Sequence, residues 1–391
     1  MKIAVNIQPM LAGNKSGIGY YQSEMLRGLL SQDRENCYIL NYFDLKNNKD
    51  VLVEKYLSGG NVVKDCCKWF SATLYQMIWS VFPLPYRIFF RSKPDISVFF
   101  NYYLPPFARG KKVLVIYDTV IKDYPETVRL KTKIMLKLTL KASIRRADKI
   151  ITISEFSKKQ IIKHYDVDEN KIAVIPCAAD RKKYRPMNDG DPLIGRVKDK
   201  YGISGDYFLY LGTLEPRKNI TGLITAYSEA LKKKPDLPKL VIAGGKGWMY
   251  EEIFSKVTEL KCEENIIFTG YVDDGDVPVL MNGAKAFCFP SFYEGFGMPP
   301  LEAMSCGIPV IVSDCTSLPE VVGECGIKVD PYSVEDMAEA LVTACGDDFA
   351  REQSRMGIER ASHFSWEKSA EMLKGIFEEL YNEQAQNTTD K

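Results

Sequence analysis

The stretch Phe289-Pro-Ser-Phe-Tyr-Glu-Gly-Phe-Gly-Met-Pro-Pro-Leu-Glu-Ala-Met-Ser-Cys-Gly307 decides the fold class of this chain. The apolar run Ala286–Phe289 at its start predicts a buried strand, and its paired prolines favour the first turn of a short helix. Pro309–Val312 predicts the next buried strand. Strand, helix and strand in this order predict a βαβ unit, with Glu294 in its first loop and Glu302 near the start of its helix. Such a loop faces ligand.

The same alternation of short apolar runs with helix-length segments extends over the whole chain. It predicts an α/β protein built on parallel sheets. A chain of 391 residues exceeds what one core usually supports, so we expect two domains. The polar segment Arg181–Gly205 predicts the linker between them, which divides the chain at 1–188, 189–364 and a C-terminal helix over 365–391. The predicted strands are Lys2–Ile7, Cys37–Tyr42, Ile96–Phe100, Val113–Tyr117, Lys149–Ile153, Lys171–Ile175, Tyr207–Leu211, Lys239–Ala243, Asn265–Phe268, Lys285–Phe289, Pro309–Val312 and Gly326–Val329.

Charge is distributed unevenly. Residues 1–190 hold 32 Lys and Arg against 18 Asp and Glu, whereas residues 191–391 hold 20 against 33. A basic half suits an anionic lipid surface, nucleic acid or a phosphorylated substrate. Since no zinc-finger, RRM or helix-turn-helix signature accompanies it, we expect no nucleic-acid partner.

The ten cysteines predict neither disulfides nor zinc. Only Cys66 and Cys67 are adjacent, and no C-x-x-C pair combines with histidines. The chain begins directly with a predicted strand, and no apolar run is long enough to span a bilayer. These features favour a protein made and kept in the cytoplasm.

Four consecutive strand ends of the second half carry chemically informative residues. Ligands of open parallel sheets bind beyond the carboxyl ends of the strands. Glycines that permit close backbone approach, an Arg-Lys pair and two carboxylates follow these strands, which indicates a site for an anionic, hydroxyl-rich ligand such as a nucleoside diphosphate sugar. The segments are Gly212-Thr-Leu-Glu-Pro-Arg-Lys-Asn219, Gly244-Gly-Lys-Gly-Trp248, Thr269-Gly-Tyr-Val272 and the stretch quoted above.

Each charged residue suits one part of such a ligand. Arg217 and Lys218 lead into a helix predicted at Ile220, where a diphosphate is favoured both by the cations and by the helix dipole. Glu302 suits the ribose hydroxyls, and Glu294 suits the sugar. Each residue alone has a plainer interpretation as a solvated surface charge, but the seven residues between the two glutamates in a strand–loop–helix context favour the functional one.

These motifs together resemble retaining glycosyltransferases of family 4, in particular the bacterial mannosyltransferase-like branch that builds surface polysaccharides. The resemblance also covers Ser16-Gly-Ile-Gly-Tyr20, Asp118 with Tyr124-Pro-Glu126, and Ile151-Thr-Ile-Ser-Glu-Phe-Ser157 in the first half. It implies the GT-B fold, in which two Rossmann-like parallel-sheet domains face a central cleft. The first domain would be the acceptor side and the second would bind the nucleotide sugar, with the C-terminal helix bridging back to the first.

The resemblance also implies roles for individual residues. Candidate catalytic residues are Glu294, which would orient the donor sugar, the diphosphate clamp of Arg217 and Lys218, and Asp118. Residues implied in donor binding are Gly17 and Gly19 in a loop near the phosphates, Gly244 and Gly245 at sites of close backbone approach, Tyr271 and Val272 at the nucleobase, and Glu302 at the ribose.

One position departs from the family pattern. Members usually carry His-Asp where this chain has Tyr117-Asp118, and a tyrosine cannot shuttle a proton near neutral pH. The resemblance implies retention of anomeric configuration without a metal or other cofactor, with the departing phosphate taking the acceptor's proton. Asp166-Val-Asp168 matches a metal-binding D-x-D pattern, but it follows a predicted helix and is better interpreted as a turn.

A segment rich in aromatic and basic residues, Trp69–Lys93, favours contact with a membrane surface. Pro83 and Pro85 interrupt it, so it cannot span a bilayer, and a core helix with a loop is the alternative. Thr127–Arg146 adds further lysines and arginines. We therefore expect a peripheral location on the inner face of the cell membrane, with an anionic lipid surface as a partner.

The predicted function is transfer of one sugar, with mannose from GDP-mannose favoured, onto a lipid-linked oligosaccharide or growing surface polysaccharide. A UDP-sugar donor carrying glucose or N-acetylglucosamine is the first alternative. A GT-B nucleotide-sugar epimerase and a non-catalytic GT-B scaffold subunit are further alternatives. A scaffold would be expected to have lost Arg217, Lys218 or Glu294, and all three are present.

Overall fold

The chain folds into two compact units. A computed structural model describes residues 1–11, 17–57, 60–79, 81–188 and 190–389, with side chains described up to residue 386. The first unit comprises Met1–Cys177 and the C-terminal segment from Trp366, and the second comprises Ala178–Ser365. The boundary predicted at residue 188 therefore lies inside the second unit.

A seven-stranded sheet forms the centre of the first unit, and its strands are β1 (Lys2–Asn6), β2 (Cys37–Phe43), β3 (Val62–Cys67), β4 (Ile96–Phe99), β5 (Lys111–Val115), β6 (Lys149–Thr152) and β7 (Ile172–Val174). Their order is β3-β2-β1-β4-β5-β6-β7. All neighbouring strands are parallel. From β1 the chain adds β2 and β3 on one side, and β4 then follows on the other side of β1. The strand order therefore reverses between β1 and β4, which makes this the switch point of the sheet.

The second unit repeats this arrangement with six strands, β8 (Tyr207–Leu211), β9 (Lys239–Ala243), β10 (Ile266–Gly270), β11 (Ala286–Phe289), β12 (Val310–Ser313) and β13 (Ile327–Val329). Their order is β10-β9-β8-β11-β12-β13, again with parallel neighbours. This is the Rossmann-type order, and its switch point lies between β8 and β11. Both sheets confirm the predicted α/β class.

Helices connect the strands, as parallel sheets require. In the first unit they are α1 (Gly17–Gln32), α2 (Asp50–Glu54), α3 (Ala72–Trp79), α4 (Val120–Asp123), α5 (Leu130–Arg146) and α6 (Glu155–Tyr165). In the second unit they are α7 (Pro192–Lys200), α8 (Ile220–Lys233), α9 (Glu251–Glu259), α10 (Val277–Asn282), α11 (Met298–Ser305), α12 (Leu318–Val322), α13 (Val334–Thr343) and α14 (Asp347–Ser362). The last helix, α15 (Trp366–Thr389), belongs to the first unit.

The C-terminal helix packs closely on the first helix. A Cβ atom at Gly28 of α1 would lie 2.8 Å from the Cβ of Ala370 in α15, so glycine permits the approach. The Trp366 ring meets the Tyr21 ring edge to face at 5.6 Å. Burial of such aromatic surface anchors the end of the chain to the first unit.

All twelve predicted strands are present within a few residues, and among the described residues one further strand, β3, was missed. β3 lies at the edge of its sheet, and Lys64 and Asp65 interrupt its apolar residues. An edge strand is half exposed, so its sequence lacks the continuous apolar run that identifies buried parallel strands.

Candidate active site

The switch point of the second sheet gathers the predicted charged residues. Arg217 and Lys218 follow β8, and Glu294 follows β11, the neighbouring strand. The two loops are joined by their backbones, since the Phe292 N–H donates to the Arg217 carbonyl at 2.9 Å. Because carboxyl ends of adjacent parallel strands share one edge of the sheet, residues 76 positions apart meet there.

A short 3₁₀ turn, Pro216–Lys218, carries the two cations. It ends at Asn219, which takes the left-handed conformation with φ of 55° and precedes α8 at Ile220, as the sequence predicts. The Asn219 side chain donates to the Pro331 carbonyl at 2.7 Å. This bond fixes the turn against the rest of the second unit.

Arg217 and Lys218 converge on one carboxylate. Lys218 Nζ lies 2.6 Å from Glu294 Oε1, and Arg217 Nη1 lies 3.3 Å from Glu294 Oε2. The three side chains are only 11–18% exposed. Removing one member of such a buried pair typically costs about 3–5 kcal/mol, because the remaining charge loses its partner.

Burial and charge pairing together shift the pKa values of Glu294 and Lys218. Burial by itself would raise the pKa of the Glu294 carboxyl, but the Lys218 ammonium and the Arg217 guanidinium outweigh it and hold the pKa below its usual value. Burial also lowers the pKa of Lys218, against the attraction of Glu294.

Glu215 is a site residue that sequence reasoning missed. Its carboxylate is buried and lies 2.7 Å from Arg217 Nη2, while Arg217 Nη1 donates to the Tyr293 carbonyl at 2.5 Å. These partners fix the plane of the guanidinium. The signal was present in the sequence, because Glu215 stands two residues before Arg217 and is separated from it only by a proline.

The loop that carries Glu294 is held by serine and threonine hydroxyls. Ser317 Oγ lies 2.9 Å from the carbonyl oxygens of both Glu294 and Phe296, which share its single O–H, and the Glu294 N–H donates to Thr316 Oγ1 at 3.3 Å. Gly297 has φ of 110°, and a Cβ there would lie 2.6 Å from a methyl group of Leu318. The loop conformation therefore requires glycine at this position.

Glu302 lies in α11, in the second turn and not at the helix start that the sequence predicts. The residue is 7% exposed, and burial raises the pKa of its carboxyl to about 8 despite the opposing effects of Lys183 and a hydrogen bond from Tyr184. Lys183 also pairs with Asp274 at 3.1 Å. The segment that follows Cys177 thus contributes residues around Glu302, a contribution that sequence reasoning missed because it placed this segment before the domain boundary.

The other residues predicted to bind the donor differ in how closely the protein packs around them. A Cβ at Gly244, where φ is 150°, would lie 1.9 Å from the Gly212 carbonyl oxygen, so protein packing alone demands this glycine. Gly245 faces open space. Tyr271 is 74% exposed, whereas Val272 is buried. Their proposed contacts with a nucleotide stay predictions.

The first unit holds the other predicted residues. Gly17 and Gly19 lie in the first turn of α1 and not in a loop, and Ser16 of the same motif lies outside the described residues. A Cβ at Gly19 would lie 2.9 Å from the Pro9 carbonyl oxygen, while Gly17 faces open space. Asp118 follows β5, where its Oδ1 accepts the Val120 N–H at 3.2 Å.

Tyr117 belongs to the core of the first unit. Its hydroxyl donates to the Phe100 carbonyl at 3.1 Å, and its ring meets Tyr21 edge to face. Burial raises the pKa of this phenol well above its usual value. The side chain at the position of the family's histidine therefore cannot exchange protons near neutral pH.

No group of three or more His, Cys, Asp or Glu side chains within the described residues is arranged to hold a metal ion. Asp166 is the left-handed C-cap of α6, and Asp168 caps the next 3₁₀ turn by accepting the Asn170 N–H. This confirms the interpretation of the D-x-D pattern as a turn. All ten cysteines are free thiols.

The aromatic segment after Trp69 divides between core and surface. Its core members Tyr75, Trp79, Tyr86, Phe89 and Phe90 pack in the first unit. Other members are strongly exposed, and they include Trp69 (60%), Met77 (60%), Val81 (84%) and Phe82 (66%). Across the described ranges, every helix is too short or too polar to cross a bilayer.

Comparison with known proteins is consistent with this architecture. The family model "Glycosyl transferases group 1" matches residues 197–362, and "Glycosyltransferase Family 4" matches residues 48–183. O-antigen chain mannosyltransferase B of Escherichia coli is 37% identical over 271 residues, which cover 68% of this chain and 70% of that protein. Serotype-specific mannosyltransferase WbdA of Escherichia coli is 33% identical over 237 residues, 59% of this chain, and the match spans only 29% of that longer protein.

A solved structure of sucrose-phosphate synthase from Thermosynechococcus elongatus superposes with a TM-score of 0.74, at 19% identity, over 98% of this chain and 99% of that one. The likeness shows that the fold is GT-B. The fold and the family models together define a glycosyltransferase. The chain belongs to glycosyltransferase family 4, within which it is similar to bacterial O-antigen mannosyltransferases.

Proposed function

We propose that the protein transfers mannose from GDP-mannose, with retention of anomeric configuration, onto a lipid-linked oligosaccharide or growing surface polysaccharide. The observation that carries the proposal is the convergence of Arg217 and Lys218 on one point at the switch point of the second sheet. Two converging cations suit a diphosphate. The similarity to O-antigen mannosyltransferases supports the sugar and the type of acceptor.

The donor diphosphate would take the place that Glu294 now occupies between the two cations. Glu294 would then be released towards the sugar hydroxyls, which it can bind as a hydrogen-bond acceptor. Glu215 and the Tyr293 carbonyl would keep the Arg217 guanidinium oriented during this exchange. Glu302 would bind the ribose, and the backbone at Gly245, Tyr271 and Val272 would lie along the nucleoside.

In the transfer step, the bond between the anomeric carbon and the β-phosphate oxygen breaks while the acceptor hydroxyl oxygen bonds to the same face of that carbon. The hydroxyl proton passes to the departing phosphate oxygen, so the products are GDP and the new glycoside. Arg217 and Lys218 would stabilise the charge that develops on the phosphate. This role requires no metal ion, and Asp118 remains a candidate for contact with the reacting sugar.

The exposed apolar residues of the first unit support a peripheral membrane location. Helix α3, which carries Met77, lies beside α5, since Gln76 Nε2 is 2.7 Å from Met135 Sδ. The exposed Val81 and Phe82 follow this helix in the chain. Helix α5 carries Leu130, Ile134 and Leu138 exposed beside its lysines. Apolar side chains beside cations suit an anionic bilayer on the inner face of the cell membrane, where a lipid-linked acceptor would be presented.

A donor screen tests the proposal. GDP-mannose, UDP-glucose and UDP-N-acetylglucosamine are each incubated with the protein and a mannose-terminated acceptor in EDTA, and nucleotide release is compared with and without acceptor. We expect acceptor-dependent GDP release and an α-linked product by NMR. Release only from a UDP-sugar would contradict the donor assignment, free sugar without acceptor would indicate an epimerase or hydrolase, and loss of activity in EDTA would contradict metal independence.

A further inference from the structure

We propose that a pocket among helices of the first unit binds a single phosphate group, in the form carried by the head group of an anionic lipid. Helix α4, the middle of α5 and the end of α6 form this pocket, which has a volume of about 260 Å³. Sites for drug-sized ligands usually have about 300–1,000 Å³. A group as small as a phosphate therefore suits the pocket better than a whole nucleotide sugar does.

Three lysines line the pocket. Lys122 belongs to α4, and Lys137 and Lys141 are four residues apart on α5. Within the described residues, none of the three ammonium groups lies within 4.0 Å of a carboxylate. Like charges at the spacing of Lys137 and Lys141 repel each other, and an anion bound between them offsets this repulsion. Ammonium groups are compact charges that suit phosphate oxygens.

Few acidic groups offset these lysines. Among the described residues that line the pocket, only Asp166, the C-cap of α6, carries a carboxylate. Asp123 of α4 contacts the lining residue His164, whose Nε2 lies 2.7 Å from its Oδ1. The other oxygen of Asp123, Oδ2, accepts the hydroxyl of Thr119 at 2.9 Å. The lining thus keeps a surplus of positive charge, which favours an anionic ligand.

The rest of the lining strengthens this preference. Ile121 and Leu136 are buried apolar side chains, and such surroundings make the attraction between opposite charges stronger than it is in water. Lys122 Nζ lies 5.6 Å from the centre of the Tyr165 ring. Burial raises the pKa of Tyr165 to about 12, so its hydroxyl stays protonated at neutral pH. It is therefore available to donate a hydrogen bond to a phosphate oxygen.

Exposed apolar residues beside the lysines favour a lipid as the source of the phosphate. Ile134 precedes Lys137 by three residues and Leu138 precedes Lys141 by three, so each pair shares one face of α5. Ile134 is 50% exposed and Leu138 is 56% exposed. A lipid with its phosphate in the pocket would lay its acyl chains against these side chains, a contact that a free phosphate compound cannot make. The inference rests on the proposed peripheral membrane location and names the site that would hold the lipid.

Binding of a water-soluble lipid, dihexanoyl phosphatidylglycerol, to the full chain tests the inference without a membrane or a transfer reaction. At concentrations at which this lipid is monomeric, calorimetry should show one site. Lys137→Gln combined with Lys141→Gln should weaken binding at least about tenfold, because charge-assisted hydrogen bonds to the phosphate are lost. Lys131→Gln combined with Lys133→Gln is the matched control, since it removes the same charge from α5 outside the pocket. This control should bind within about twofold of wild type.

Two further ligands identify what the pocket recognises. Dihexanoyl phosphatidylcholine has the same chains without the net negative charge, and glycerol 3-phosphate has the phosphate without the chains. Both should bind much more weakly than phosphatidylglycerol. Equal affinity for phosphatidylcholine, or equal weakening by the two double variants, would overturn the phosphate pocket. Glycerol 3-phosphate that binds as tightly as the lipid would overturn the lipid as its ligand.

Failure of this inference and failure of the proposed function are distinguishable. The variant with Lys137→Gln and Lys141→Gln should keep wild-type kcat/KM with a soluble acceptor, because neither lysine is assigned to the donor site. Absence of transfer with any donor would contradict the proposed function while the calorimetry still decides the pocket. A protein that binds the short-chain lipid but no vesicles would contradict the membrane location and support the pocket.

Discussion

At the scale of the residue, burial separates the two glutamates that the sequence presents as a pair. Glu294 has two cations within 3.3 Å, so the pKa of its carboxyl is lowered. Glu302 is buried with weaker compensation, so its pKa is raised to about 8. The spacing of the two residues could be read from the sequence. The opposite shifts of their pKa values could not, because they depend on how deeply each carboxyl is buried and on partners from distant segments, Lys218 and Arg217 for Glu294 and Lys183 and Tyr184 for Glu302.

This difference predicts a pH-dependent effect of Glu302→Gln. The folded-state pKa of about 8 exceeds the unfolded value near 4.3, so the wild-type protein loses stability as pH rises between these values. Glu302→Gln removes this loss. In urea unfolding, its free energy of unfolding should exceed that of wild type by about 2–4 kcal/mol at pH 8.5 and by almost nothing at pH 4.

The exposed residue Glu324 provides a matched control. Glu324→Gln should leave the free energy of unfolding close to that of wild type at both pH values. An equal stability difference for Glu302→Gln at pH 4 and pH 8.5 would contradict the raised pKa.

At the scale of the element, strands could be predicted from their apolar residues, whereas features that depend on packing between elements could not. Continuous apolar runs identify the buried strands, and Tyr207–Leu211 and Lys239–Ala243 match the sequence prediction residue for residue. The edge strand β3 and the second-turn position of Glu302 were missed. Those features depend on contacts that form only in the folded chain. An edge strand is defined by the strand it pairs with, and the start of a helix is set by the conformation of the preceding loop.

The two glycines after β9, Gly244 and Gly245, should differ in how much an alanine substitution destabilises the protein. Gly244→Ala should lower the free energy of unfolding by about 2–4 kcal/mol, because its Cβ would overlap the Gly212 carbonyl oxygen at 1.9 Å and its φ is 150°. Gly245→Ala places a methyl group in open space and should change stability by less than about 1 kcal/mol. Urea unfolding of both variants measures the difference. Equal destabilisation would show that the β9 end is not packed as described.

At the scale of the whole molecule, the uneven charge suits two different tasks. The basic residues 1–190 include the exposed Met77, Val81 and Phe82 and the lysines of α5, while the more acidic second half holds the cluster around Arg217. The charge difference can be counted from the sequence, and the α/β class can be predicted from it. Which aromatic residues remain exposed after folding could not, because core and surface members alternate along one segment.

A vesicle experiment tests the membrane-facing role. The protein should co-sediment with vesicles that contain anionic phospholipid and much less with neutral vesicles, and added salt should weaken binding because it screens the lysines. Val81→Ser combined with Phe82→Ser should reduce binding, since both residues are exposed. Val51→Ser, at a residue that is 75% exposed in α2, is the control. Equal binding to neutral and anionic vesicles would contradict this role.

The catalytic efficiency of Arg217→Ala tests the central claim most directly. We expect kcat/KM for mannosyl transfer from GDP-mannose to fall about 10²–10³-fold, as on removal of one preorganised donor from a developing anion. Arg217→Lys should fall between this variant and wild type, because it keeps the charge and loses the planar fork. Arg196→Ala, at an exposed arginine of α7, should match wild type. Folded Arg217→Ala protein with kcat/KM within about twofold of wild type would contradict the assignment of this cluster as the donor site.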